Sequence, residues 1–190
     1  MALYCSPITG NVDAYLCGMR QGGLKGLIYV ANFGDINEIS STAGDKNMDT
    51  ILMNIDPLTT LPYYWYQIAF RKNSAGLNNE LVVGNNKYVN QTITFQIDGL
   101  TAQSHAVLQE MADGEAVFIV TDYQGKVHVL GRIAGLETSA ATSGTGTALD
   151  DLYGATVTFS SAEPEYSNFI LAGTTIQVSD GAGGVTVITL

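Results

Sequence analysis

The chain has 190 residues, enough to bury a substantial core as one domain, and carries 18 Asp and Glu against 8 Lys and Arg, a formal net charge of -10. That balance excludes the basic surface with which proteins neutralise nucleic-acid phosphates. It leaves open passage of DNA along a surface that repels it. The N-terminus lacks the basic and apolar regions of a secretory signal, and no apolar run reaches the roughly 20 residues of a spanning helix. No membrane anchor is therefore expected, and assembly in a cytoplasm is.

Cys5 and Cys17 fit neither a CxxC redox motif nor a four-ligand zinc spacing. Buried reduced thiols are the expectation, with a disulfide left open. After the turn-prone Gly22-Gly23, the run Gly26-Leu27-Ile28-Tyr29-Val30-Ala31-Asn32 reads as a buried strand closed by a turn at Phe33-Gly34-Asp35. Residues 40–47 are polar and read as a loop, and Ile51, Met53 and Ile55 predict a short strand before Pro57. The run Tyr63-Tyr64-Trp65-Tyr66-Gln67-Ile68-Ala69-Phe70 has bulky residues on both faces. Tyr64, Trp65, Tyr66 and Phe70 are the candidate intersubunit contacts.

Leu81-Val82-Val83, a turn at Gly84-Asn85-Asn86 and the segment from Tyr88 to Gly99 read as a hairpin. In its second strand Val89, Ile93, Phe95 and Ile97 share one side and Asn90, Thr92, Thr94 and Gln96 the other, the two-residue period of a half-buried strand. Thr101 predicts the cap of a helix reaching about Ala112, with Leu100, Val107, Leu108 and Met111 near one face and Gly114 past its end. Two strands around Asp122-Tyr123-Gln124-Gly125 follow as a hairpin, and Gly131 and Gly135 bend the outgoing chain. The Ser/Thr/Ala/Gly-rich residues 138–147 read as a mobile loop. Alternation at Ala155, Val157 and Phe159 predicts another strand, and residues 174–190 a terminal hairpin or exchanged arm. The expected class is mainly β: an antiparallel β-sandwich or β-barrel with one flanking α-helix, in a single domain over residues 1–190.

Chemistry finds little support. His105 and His128 are isolated histidines with structural settings. Asp150-Asp151 and Glu163-Pro164-Glu165 lack the ligand order of a calcium loop, and loop solvation is the expectation for both. Gly22-Gly23-Leu24-Lys25-Gly26 lacks the phosphate-loop spacing. No catalytic residue, cofactor or metal ligand is assigned, and the chain is expected not to be an enzyme. Trp65 leaves sugar stacking as a rival reading, favoured if the indole is exposed beside polar groups.

The strand at residues 26–32, the many strands and single helix after it, and two segments carry a family resemblance. The segments are Leu130-Gly131-Arg132-Ile133-Ala134-Gly135-Leu136 and Asp151-Leu152-Tyr153-Gly154-Ala155-Thr156-Val157. Over most of its length the chain resembles a structural protein of tailed bacteriophages, with the tail tube (major tail) protein the preferred member. The resemblance implies a virion location and hexameric rings stacked into a conduit for DNA ejection, with DNA passing through without tight binding and other phage tail proteins as partners. It also implies that edge strands join neighbouring copies into one sheet. Loops at residues 34–47, 71–87 and 138–150 are the expected contacts between rings, and inward Asp and Glu the expected lining. A head-tail connector, a tail terminator or another ring protein is the alternative, and a carbohydrate-binding adhesion module the second.

Overall fold

The computed structural model describes residues 22–147, 151–181 and 184–190. In chain order the elements are β1 (Leu24–Asn32), a 3-10 turn (Phe33–Asp35), β2 (Ile36–Ser40), β3 (Asn47–Met48), β4 (Thr50–Met53), β5 (Trp65–Ala69), β6 (Gly76–Val83) and β7 (Lys87–Asp98). Then come α1 (Ala102–Asp113), β8 (Ala116–Asp122), β9 (Val127–Leu130), β10 (Glu137–Gly144), β11 (Gly154–Glu163), β12 (Asn168–Ile170), β13 (Thr175–Ser179) and β14 (Val185–Thr189).

An eight-stranded sheet runs β14-β13-β5-β1-β8-β9-β12-β3, and a four-stranded antiparallel sheet runs β10-β11-β7-β6. The curled large sheet and the small one face each other as a β-sandwich, with α1 at its flank, as the composition and periodicity predict. The core between them is aromatic. Phe118 on β8 meets Phe159 on β11 at 4.8 Å between ring centroids, and Phe95 on β7 stacks on Phe159 at 6.0 Å. Ile28, Ile93, Leu130 and Val157 complete the layer.

Strand β8 is buried on both faces. Phe118 and Val120 point into that layer, while Val117 and Ile119 join Trp65, Val129, Ile176 and Val178 on the opposite side. There the two-stranded pair β2-β4 contributes Ile39, with Ile51 packed against the cluster. A strand covered on both sides needs an uninterrupted apolar run, and Ala116-Val117-Phe118-Ile119-Val120 supplies it.

The alternation expected of β7 is realised: Val89, Ile93 and Phe95 are buried and Thr92, Thr94 and Gln96 only partly so. Gln91 belongs to the buried face as well. Thr101 caps α1 reciprocally, its hydroxyl accepting from Ser104 N–H at 3.0 Å while Thr101 N–H donates to Ser104 Oγ at 2.9 Å. Leu108 and Met111 pack on the core, but no residue of α1 is fully buried. Gly114 ends the helix in an extended conformation (φ -124°) rather than in the left-handed one expected of a glycine stop.

One segment departs from the sequence reading. Residues 138–147 were expected to be a loop, yet β10 occupies Glu137–Gly144 and pairs antiparallel with β11 from Glu137↔Ser160 to Gly144↔Gly154, with a bulge between Thr138 and Ala140. Its small and β-branched residues fit a pleated edge, and the long partner strand decides the conformation that local composition leaves open. The terminal hairpin forms within the chain, β13 against β14, with β13 also pairing parallel to β5.

Candidate assembly interface

Among the described residues no strand pairs with either margin of the four-stranded sheet. Strand β6 pairs, among the described residues, only with β7 and β10 only with β11, and neither β10 nor β6 carries Lys, Arg or Pro. Those residues are the usual guards of a sheet edge. Every residue of β10 except Thr138 is exposed, and α1 reaches it there through the Thr138 hydroxyl, which donates to Met111 O at 3.0 Å. On β6, Leu81 and Val83 keep 49% and 65% of their surface exposed, too much apolar area for a guarded edge.

The four strands alternate in direction, so the two edges run in opposite senses. Each is eight residues long. A second copy placed beside the first in the same orientation would set its β10 antiparallel to β6, continuing the alternation across the seam. With strand ends aligned, Glu80 faces Ala140 of the neighbour and Val83 faces Glu137, so the edge carboxylates do not oppose each other.

The outer face of this sheet is uncharged over its middle. Asn78, Asn90, Thr92, Thr94, Gln96, Thr156, Thr158, Ala140 and Thr142 alternate with the core-facing positions, and the Thr94 and Thr158 hydroxyls meet at 3.0 Å. Glu80, Asp98 and Glu137 are the carboxylates on that face, and the last two stand at strand ends. Acidic groups on this face are therefore few within a hydroxyl and amide surface.

The four aromatic candidates separate. Trp65 and Phe70 are 0% and 8% exposed and belong to the chain's own two core clusters, so they have no surface to give a neighbouring subunit. Their assignment as intersubunit contacts is corrected: Trp65 opens β5 and faces one cluster, while Phe70, just past the end of β5, faces the other. Tyr64 is half-buried and Tyr66 is 48% exposed, and these two retain surface. Burial of Trp65 inside its own chain also removes the stacking platform that the sugar-binding reading required.

Glu163 and Glu165 are not solvated loop acids. The Glu163 side chain is buried, and its Oε1 accepts from the Ile133 and Ala134 amides at 3.3 and 3.0 Å. Burial raises its carboxyl above the ordinary range, against the two amide bonds and the nearby Arg132. Glu165 accepts from Lys46, from Arg132 Nη2 at 2.6 Å and from Asn168 Nδ2 at 2.8 Å. Burial alone would raise Glu165 too, but these three bonds and the Arg132 charge outweigh it and bring it down to about 2. Buried Gln91 ties the network to β7, its Nε2 donating to Glu165 O and its Oε1 accepting from Gly131 N–H.

The object held by this network is the turn between β9 and β10. Gly131 sits there at φ +74°, and a Cβ would clash with Leu136 and lie 2.9 Å from Ala116 O. Gly154, at the start of β11, passes so close to β7 that a Cβ would run into the Ile97 carbonyl. Gly131 and Gly154 thus stand, one in each of the segments 130–136 and 151–157, where the neighbouring backbone leaves no room for a side chain. Burial of a glutamate beside a proline had no local signal, because it depends on a turn 30 residues away.

The other candidates stay apart. His128 lies on β9, 3.3 Å from Asp122 and packed on Phe169, and His105 is exposed on α1. Asp151 accepts from the Thr147 amide and hydroxyl. Asp150, Cys5 and Cys17 lie outside the described residues. Among the described residues no group of three or more His, Cys, Asp or Glu is placed to hold a metal ion, and no helix is long and apolar enough to cross a membrane.

Comparison of the chain with family models, curated proteins and solved structures gives no match in any of the three. The two edges of the small sheet remain the feature on which a functional reading turns.

Proposed function

We propose that the chain is a virion structural protein of a tailed bacteriophage, a tail tube subunit whose copies close into hexameric rings that stack into the DNA ejection conduit. The observation that carries the reading is the pair of unguarded, equally long, oppositely directed edges β6 and β10. Such edges invite uncontrolled pairing unless a copy completes them, and closure into a ring both satisfies the backbone groups and ends the growth. The number six comes from the family resemblance alone. In this arrangement the Thr- and Asn-rich outer face of the four-stranded sheet lines the passage, with Glu80, Asp98 and Glu137 and the net charge of -10 keeping DNA from adhering. Partners are further copies and other tail proteins, and the place of assembly is the host cytoplasm.

A connector or terminator ring would use the same seam, and the number of stacked rings separates these from a tube. Negative-stain microscopy of the purified chain at several concentrations tests the reading. Rings and stacked rings are the expected outlines; persistent monomers across the concentration range, with the β6 and β10 edges unpaired, would sink it.

A further inference from the structure

Between β9 and β10 the chain forms a short flap, Arg132-Ile133-Ala134-Gly135, whose tip is held down by one buried oxygen. Its neck is closed by Gly135 N–H donating to Gly131 O at 3.0 Å, and the two glycines take left-handed backbone, at φ +69° and +74°. Both flanks are anchored. Gly131 N–H donates to Gln91 Oε1 at 3.2 Å, and Leu136 exchanges two backbone bonds with Ala116, at 2.7 and 2.9 Å. Leu136 is fully buried, whereas Ile133 is 44% exposed and Ala134 is exposed as well. The tip therefore offers its side chains to solvent and its amides to the interior.

Those amides share a single acceptor. Ile133 and Ala134 N–H both donate to Glu163 Oε1, and among the described residues neither has a backbone partner. Glu163 ends β11 and is 1% exposed. Of the charged groups around it, Arg132 lies on the flap itself, but its Nη2 is occupied by Glu165 and its Nη1 by Ile39 O. Glu165 follows two residues on and also binds Lys46. Gln91 on β7 and Asn168 on β12 bring amides and no charge. Among the described residues no cation stands within ion-pair distance of the Glu163 carboxyl. Such a group is easier to bury neutral than ionised. Burial is the main cause that pushes the Glu163 carboxyl up, and the Glu165 charge acts in the same sense.

We propose that the flap is a proton-controlled latch, shut over a neutral Glu163 and opening at its tip more readily once that carboxyl ionises. Opening admits water to the carboxylate, the solvation that burial denies it. Only the residues between the two glycines need move, because Gln91 holds Gly131 and Ala116 holds Leu136. In the open state Glu163 is solvated and titrates near the ordinary value of about 4.3. The shut state binds the proton more tightly, so closure is strongest below that value and weakens as pH rises toward the shut-state one, beyond which it levels off. The latch belongs to the single chain, and stands or falls apart from the ring reading.

Hydrogen exchange of the full chain from about pH 4 to about pH 8 is the test, read amide by amide through mass spectrometry with fragmentation and corrected for intrinsic exchange rates. Protection of the Ile133 and Ala134 amides should fall with rising pH, by at most about tenfold per unit, the slope of one proton, and then level off. At every pH these two amides should exchange at least about tenfold faster than Phe118 and Val120 of β8, since the flap opens without the fold. Glu163→Gln keeps the acceptor and should abolish the fall. Glu165→Gln removes the neighbouring charge and should bring the levelling-off to lower pH. A parent profile flat in pH, an undiminished fall in Glu163→Gln, a levelling-off that Glu165→Gln leaves in place, or tip amides as protected as those of β8 each overturns the latch.

Discussion

Position 140 offers a test of the lateral seam in which a single site must respond in opposite directions to opposite charges. Ala140 is exposed on β10, and with the strand ends aligned it faces Glu80 of the neighbouring copy. Ala140→Glu then places two carboxylates about 5 Å apart, and Ala140→Lys an ion pair at the same separation. Coulomb interaction at that distance is about 0.8 kcal/mol in water and about 3 kcal/mol at an effective dielectric of about 20. The seam is solvent-exposed, so the lower end governs, about 0.5–1 kcal/mol or two- to fivefold per seam. The fold of the separate chain should change by less than about 0.5 kcal/mol, since the site makes no buried contact. Sedimentation velocity over a concentration series measures the assembly midpoint at low and high salt. Ala140→Glu should move it to higher concentration and Ala140→Lys to lower, with both shifts shrinking as salt rises. Equal shifts of one sign, or none, would refute pairing of β6 with β10 in this register.

Glu163→Gln keeps an oxygen acceptor for the Ile133 and Ala134 amides while removing a buried charge. Because burial raises the Glu163 carboxyl, its stabilisation is full below the unfolded value of about 4.3 and is lost as pH rises through the folded one. The variant should therefore be at least as stable as the parent at pH 7 and lose any advantage near pH 4 in urea titrations. Glu165→Gln should behave oppositely, since a carboxyl held at about 2 stabilises above the unfolded value and loses that contribution on acidification; the variant should be weaker at pH 7 and flatter in acid. Gly131→Ala, forced into a left-handed conformation against Leu136 and Ala116 O, should cost about 2–5 kcal/mol in chemical denaturation. Trp65→Ala should cost about 3–5 kcal/mol as a core deletion, with a parallel fall in melting temperature. Loss of glycan binding with the fold's stability unchanged would instead restore the sugar reading.

What was legible in the sequence is what short-range chemistry determines. The alternation of β7, the Thr101 cap, the apolar run of β8 and the turn at Asp122 to Gly125 all follow from residues near one another in the chain. What was not legible depends on distant partners. Nothing in Ser139-Ala140-Ala141-Thr142-Ser143 specifies a strand until β11 lies beside it, and no local pattern distinguishes a strand that becomes an edge from one that becomes central. The aromatic run at β5 was visible as apolar on both sides, but only the packed fold shows that Trp65 and Phe70 go to two separate cores while Tyr66 stays outside.

The small sheet has an even number of strands, and this has a bearing on how copies are counted. Any integer number of such units can be joined side by side without a parity clash, so strand polarity cannot act as a tally of subunits. The copy number of a closed ring must then answer to geometry, to the wedge angle that twist and bulging impose at each junction. The irregularity between Thr138 and Ala140 lies on the very strand that would form the junction, and its removal is the substitution most apt to change the circumference.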